Sequence, residues 1–192
     1  MVINLAQCGI FCYDEFMNKI YFISGVNGAG KSAIIPHLKK ILPKEKYQVF
    51  DFDERGVPED ADRNWRISES KYWVEKGNEL AKENINIIIC GFIKPDDLPN
   101  IIGEESNEIK LILLDAEPEI IRQRLISRYI KNNIFDESQK IIGKPIQEFI
   151  ASNVYFAPKM KELFEQSDYP IIDTSNLTLE DVARKAANII LK

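Results

Sequence analysis

The sequence predicts an α/β domain with a five-stranded parallel sheet and helices on both faces. Apolar runs alternate with helical segments, and the runs are continuous, as expected for strands covered on both sides. A chain of 192 residues, 45% of them hydrophobic, suits one domain of ordinary size. The predicted strands are Ile20–Ser24, Tyr47–Asp51, Ile85–Cys90, Lys110–Leu114 and Tyr169–Ile172.

The segments between these strands have the pattern of helices, which parallel strands need as crossover connections. The predicted helices are Lys31–Leu42, Ala61–Glu83, Pro118–Lys131, Pro145–Gln166 and Leu177–Leu191. Proline lacks a backbone N–H group, so we expect Pro36 to kink the first helix and Pro158 to interrupt the fourth.

A glycine-rich loop follows the first predicted strand and opens the first helix. The stretch from Gly25 to Ser32 matches G-x-x-x-x-G-K-S at every fixed position. Its glycines allow a tight turn, so that backbone N–H groups and the helix N-terminus converge on phosphate oxygens. Lys31 can reach the β and γ phosphates, and the Ser32 hydroxyl can ligate Mg²⁺. The residues predicted to bind ATP are Gly25, Asn27, Gly28, Ala29, Gly30, Lys31, Ser32 and Ala33.

Two carboxylates close the second predicted strand. Asp51 and Asp53 lie on one side of the alternating chain, with Phe50 and Phe52 on the other. Strand carboxyl ends line the ligand crevice of an open parallel sheet, so both acids should face the phosphates and contact the substrate. We expect Asp51 to serve the metal with Ser32, and Asp53 to be catalytic, although the residue types leave the two acids interchangeable. The alternative is a solvated turn.

These motifs resemble those of the P-loop small-molecule kinases, in particular the shikimate, gluconate and nucleoside kinase group, over residues 19–192. The resemblance implies transfer of the γ-phosphoryl group of Mg-ATP to a small hydroxyl- or phosphate-bearing acceptor. The matching segments are Asp51-Phe52-Asp53, Trp65-Arg66-Ile67-Ser68-Glu69, Arg124-Leu125-Ile126-Ser127-Arg128 and Ile172-Asp173-Thr174-Ser175-Asn176. It implies that Arg66 grips an anionic substrate and that Arg124 and Arg128 precede a lid-like insertion at about 129–145.

The acceptor should contact two segments, Asp53–Arg66 and Gly91–Asp96, which we call the acceptor wall. Within it, Gly91 and Arg66 are predicted substrate-binding residues. Arg66 could instead form a surface ion pair with Glu69 three residues later.

Arg124 and Arg128 are predicted to stabilise transition-state charge, although arginines beside an apolar stripe can simply extend into solvent. Trp65, Tyr72 and Trp73 share a spacing that favours core packing, with a stacking platform for a planar substrate as the alternative.

The composition limits the remaining functional classes. A net charge of −5 argues against a broad nucleic-acid-binding surface, which makes a 5′-hydroxyl polynucleotide kinase a weaker alternative. A regulatory nucleotide-binding module is a further alternative. No apolar run has the ~18 residues of a membrane span. The chain has three cysteines, an odd number, and no secretory signal, which favours reduced thiols and a cytoplasmic location. Residues 1–18 are expected to be an N-terminal extension without assigned function, and the protein a monomer or homodimer.

Overall fold

A computed structural model describes residues 18–103, 108–131 and 145–192 of the chain. The predicted N-terminal extension, apart from Asn18, lies outside the described residues. The same is true of 132–144, which make up most of the predicted lid-like insertion.

The sheet has five parallel strands in the order β2-β3-β1-β4-β5, which confirms the predicted fold class. The strands are β1 Lys19–Ser24, β2 Tyr47–Asp51, β3 Asn86–Cys90, β4 Glu108–Asp115 and β5 Ile171–Asp173. β5 begins two residues later than predicted, because Pro170 has no N–H group to donate to a neighbouring strand. β1 lies in the middle, so the loop that follows it is at the centre of the sheet edge.

Five α-helices and one short 3₁₀ helix connect the described strands. They are α1 Lys31–Ile41, α2 Arg63–Ala81, the 3₁₀ helix Pro95–Asn100, α3 Pro118–Ile126, α4 Ile146–Gln166 and α5 Leu179–Ile190. Pro158 does not interrupt α4, contrary to the prediction. α1 continues through Pro36, and the kink expected there stays a prediction. Both prolines lie on exposed helix surface, where water can satisfy the carbonyl that each leaves without a partner.

The third helix differs from the prediction at its C-terminal end. Its α-helical part ends at Ile126, and Ser127–Lys131 is π-helical. A π-helical turn widens the backbone and is frequent at functional sites. Here it carries Arg128, one of the predicted catalytic residues.

The helices form a layer on each face of the sheet. α1 packs against α5 on one face, while α2 covers β1 and β3, and α4 covers β4 and β5, on the other. Gly77 permits the close approach of α2, because a Cβ atom there would lie 2.7 Å from the Ile20 side chain. The core combines the apolar strand residues with the inward-facing apolar residues of both helical layers.

The aromatic residues of α2 follow the core-packing prediction only in part. Trp73 is buried at 2% exposure and donates its indole N–H to the Phe52 carbonyl at 3.2 Å. Trp65 packs against the core and meets the Phe52 ring edge-on. Tyr72 is 36% exposed instead, and the Arg55 guanidinium lies 3.6 Å above its ring. The helix therefore turns Tyr72 toward solvent while Trp73 faces the sheet.

Candidate functional site

A cavity of about 540 Å³ opens at the carboxyl edge of the sheet, around the start of α1. It collects nearly all of the predicted site residues. Those that line it are Asn27, Gly28, Ala29, Gly30, Lys31, Ser32, Ala33, Asp51, Asp53, Arg124 and Arg128. The residues predicted from sequence for nucleotide, metal and catalysis thus share one cavity, except Gly25.

The glycine loop has the conformation that an anion site requires. Gly28 and Gly30 have φ values of +88° and +106°, which side-chain-bearing residues rarely adopt. Gly30 caps α1 without a side-chain hydrogen bond, and the first turn contains no acidic residue. The N–H groups at this helix start therefore have no capping side chain and can bind a phosphate.

Gly25 serves a different purpose from the rest of the loop. It is buried at the end of β1, and a Cβ atom there would lie 2.6 Å from the Leu114 carbonyl oxygen of β4. Its role in the structure is close packing, and it does not line the cavity.

Lys31 is the first residue of α1, and its ammonium group points back across the loop. Its Nζ donates to the Val26 carbonyl at 3.1 Å. Burial lowers the pKa of Lys31 to about 8, while the carboxylates of Asp53 and Asp51 oppose that shift. The cavity therefore holds a cation next to two carboxylates, in a place where a polyphosphate would add negative charge.

The two carboxylates after β2 are fixed by a tight turn. Asp51 Oδ1 accepts the backbone N–H of Asp53 at 3.1 Å, and the Asp53 carbonyl accepts from Gly56. Reduced solvation, together with the charge of Asp51, raises the pKa of Asp53. A raised pKa makes this carboxylate a better proton acceptor than an ordinary aspartate at neutral pH.

The donor atoms in the cavity fit Mg²⁺. The Ser32 hydroxyl and the Asp51 and Asp53 carboxylates are hard oxygen ligands that line the same space. Within the described part of the chain, no cluster of three or more His, Cys, Asp or Glu residues could hold a metal alone. Mg²⁺ normally combines one or two carboxylates with substrate phosphate oxygens, so this sparse donor set is appropriate.

Arg124 links the glycine loop to the segment after β5. Its guanidinium donates to the Gly28 carbonyl at 3.2 Å, and to the Thr174 hydroxyl and carbonyl at 3.0 and 2.7 Å. The buried Thr174 hydroxyl in turn donates to the Ala29 carbonyl at 3.3 Å. These bonds give two loop carbonyls hydrogen-bond partners within the protein. Arg124 is predicted to be catalytic, and in this structure its N–H groups position the loop.

Arg128 is exposed and lies on the π-helical turn beside the cavity. Its guanidinium is 5.2 Å from the Tyr129 ring. In the described part of the chain it makes no ion pair, so it is the arginine available to a phosphate oxygen.

Arg66 and Gly91 do not line the cavity. The Arg66 guanidinium lies over the Phe92 ring at 5.8 Å. Glu69 is paired with Arg55 at 3.1 Å, so the alternative Arg66–Glu69 ion pair is absent from the described residues. A Cβ atom on Gly91 would be 2.2 Å from Phe52 Cβ, which gives this glycine a packing role.

Sequence reasoning missed two residues that contact the loop. Asn153 of α4 accepts the Asn27 backbone N–H at 2.9 Å, and Thr174 contacts the loop as described above. A buried asparagine within an apolar helical stripe was the available signal for Asn153. Thr174 lies in the Ile172–Asn176 segment that matches the kinases, and that match did not indicate this contact.

Three solved structures are similar to this chain, and two of them are named as kinases. A shikimate kinase from Acinetobacter baumannii in complex with shikimate is 18% identical, with a TM-score of 0.50 over 92% of this chain and 94% of that chain. A sugar kinase from Janibacter sp. HTCC2649 is 16% identical, with a TM-score of 0.56 over 90% and 94%. The protein APE1195 is 18% identical, with a TM-score of 0.59 over 92% and 96%.

No protein-family model and no curated protein matches the sequence. Among the described residues, no helix is long and apolar enough to cross a membrane. The structural similarities extend over nine-tenths or more of the chain and include the sheet with its two helical layers. The chain therefore has the fold of a distant P-loop kinase.

Proposed function

We propose that this protein is an ATP-dependent phosphotransferase that moves the γ-phosphoryl group to a small hydroxyl- or phosphate-bearing acceptor. The observation that carries the proposal is the shared cavity of Lys31, Asp51, Asp53 and Arg128 at the start of α1. A phosphate-binding loop alone would bind nucleotide. The adjoining carboxylate with a raised pKa adds the group that phosphoryl transfer to a hydroxyl needs.

The donor triphosphate would bind to the backbone N–H groups at the start of α1. Lys31 would exchange its contact with the Val26 carbonyl for phosphate oxygens. Its positive charge interacts more strongly with an anionic phosphate than with a neutral carbonyl. Bound Mg²⁺ would neutralise phosphate charge, with Ser32 and Asp51 as its protein ligands.

The acceptor would approach from the side of Asp53. This carboxylate would accept the hydroxyl proton, or orient the hydroxyl by a hydrogen bond, as the oxygen attacks phosphorus. Arg128 would stabilise the charge that develops on the transferred group, and Arg124 would hold the Gly28 carbonyl of the loop in place.

An acceptor panel tests the proposal. Sugars, polyols, nucleosides, nucleotides and hydroxy acids are incubated with Mg-ATP, and ADP release is compared with an acceptor-free control. We expect one class to stimulate release, and Asp53→Asn to remove at least about 99% of the stimulated rate, as expected for loss of a general base.

Asp168→Asn is the matched control, because Asp168 is exposed and lies outside both the cavity and the acceptor wall. An ADP release rate that no acceptor changes, and that Asp53→Asn leaves intact, would contradict the proposal.

A further inference from the structure

Asn153 is a buried polar residue on an otherwise apolar helix face. It is 9% exposed, and its stripe of α4 contains Ile146, Ile150, Ala157 and Met160. Burying an amide is unfavourable unless its donors and acceptors find partners. A leucine would favour the helix and pack in the core at this position, so the presence of an asparagine needs a reason.

The hydrogen bonds of Asn153 fix the orientation of its amide. Its Nδ2 donates to the Phe149 carbonyl one turn earlier at 2.9 Å, and a carbonyl can only accept. Its Oδ1 faces the Asn27 backbone N–H at 2.9 Å, which can only donate. Exchanging the amide oxygen and nitrogen would break both bonds, so the network determines one arrangement.

The same oxygen also accepts the Asn27 side-chain Nδ2 at 3.3 Å. One side chain of α4 thus holds both the main chain and the side chain of a residue 126 positions earlier. Asn27 lines the cavity, and Asn153 does not. Asn153 therefore acts on the cavity only through the loop.

The bond to the Asn27 N–H fixes the peptide between Val26 and Asn27. Farther along the loop, Arg124 and Thr174 hold the carbonyls of Gly28 and Ala29. The loop peptides are therefore held by side chains from α4, from α3 and from the segment after β5. This arrangement orders the loop before a phosphate binds, which lowers the entropy cost of binding.

We propose that Asn153 is a positioning residue for the triphosphate: by accepting the Asn27 N–H, it holds the loop in its phosphate-binding conformation. This inference rests on the proposed function, because it assigns a role in nucleotide binding. It adds a residue of α4 that the nucleotide-binding motif does not include.

Amide hydrogen exchange on the nucleotide-free protein tests the contact itself. We expect Asn153→Leu, which keeps the volume but has no acceptor, to speed exchange of the Asn27 amide by about tenfold or more. The control Gln166→Ala removes an exposed amide from the same helix and should change nothing at Asn27.

Calorimetry with Mg-ATP tests the role. We expect Asn153→Leu to raise the Kd about tenfold, the effect of about one hydrogen bond, with Gln166→Ala unchanged. Asn153→Ala replaces Asn153→Leu if the latter does not fold. A lower melting temperature with an unchanged Kd, or unchanged exchange at Asn27, would overturn the inference. If the wild type itself binds no Mg-ATP, the proposed function fails as well. If the wild type binds Mg-ATP and the Asn153 variants bind it equally well, this inference fails alone.

Discussion

The phosphate loop and the acceptor wall differ in how their residues come together. In the loop, consecutive residues from Asn27 to Ala33 all line the cavity, because one tight turn and one helix start define their positions. In the acceptor wall, charged side chains pair with residues just beyond it: Arg55 pairs with Glu69, and Arg63 pairs with Asp97. A contiguous motif therefore determines its own geometry, whereas charged residues on separate elements choose partners that only the fold decides.

One guanidinium in the acceptor wall is left without an ion pair in the described part of the chain. Arg55 is held by Glu69 and the Tyr72 ring, while Arg66 contacts only the Phe92 ring among the contacts that the structure defines. If the acceptor carries an anionic group, Arg66 is the wall residue with a guanidinium free to bind it.

The largest expected effect is at Arg128, on the loop side. Arg128→Ala should lower the acceptor-dependent kcat by about 10³, because an arginine that stabilises a transferred phosphoryl group has an effect of that order. The Kd for Mg-ATP should change much less. Steady-state kinetics and calorimetry measure the two quantities.

Arg122→Ala is the control for that variant, since Arg122 is exposed and paired with Glu119 at 3.3 Å. If the kcat of Arg128→Ala stays within about threefold of wild type, Arg128 does not stabilise the transferred group.

The next largest effect concerns the packing of the acceptor wall. Gly91→Ala should lower the free energy of unfolding by about 2 kcal/mol, because its Cβ would collide with Phe52 Cβ, which lies 2.2 Å from the ideal position. Urea denaturation measures this change. Gly103→Ala, where a Cβ meets no atom of the described residues within 4 Å, is the matched control. Equal stability of the two variants would show that the wall relaxes around the added methyl group.

A smaller effect is expected at Arg66. Once an anionic acceptor is identified, Arg66→Ala should raise its KM about tenfold, with the Kd for Mg-ATP unchanged, because one charge-assisted hydrogen bond is lost. Lys71→Ala removes an exposed cation from the same helix and serves as the control. If the acceptor KM is unchanged in Arg66→Ala, the anionic group binds elsewhere.

The smallest effect is a protonation change at Lys31. With its pKa lowered to about 8, free Lys31 is half-protonated near that pH, and a bound triphosphate should restore the full charge. Mg-ATP binding at about pH 8 should therefore take up about half a proton from this residue, and affinity should fall as pH rises further. Calorimetry in two buffers of different ionisation enthalpy measures the uptake, which should vanish near pH 6 apart from the titration of ATP itself.

The same pKa determines how Lys31 affects folding. Between pH of about 8 and 10.5, the unfolded chain keeps this proton and the folded chain does not. The contribution of Lys31 to the free energy of unfolding should therefore rise with pH across that window.

The sequence predicted the fold and the loop because both depend on local patterns. Continuous apolar runs located β1, β2 and β3 to within one residue, as buried parallel strands should. The contact between Asn153 and Asn27 could not be predicted, because it depends on how α4 packs 126 residues farther along the chain. The Arg55–Glu69 pair was missed for a similar reason, since helical spacing favoured Arg66 as the partner.

Isothermal titration calorimetry of the wild type and Lys31→Ala with Mg-ATP tests the central claim most directly. The wild type should bind one nucleotide, and Lys31→Ala should bind at least about tenfold more weakly, because a buried cation facing phosphate is lost. Lys39→Ala, an exposed lysine on the same helix, should bind like the wild type. No binding heat from the wild type, or equal affinity in all three proteins, would contradict the account.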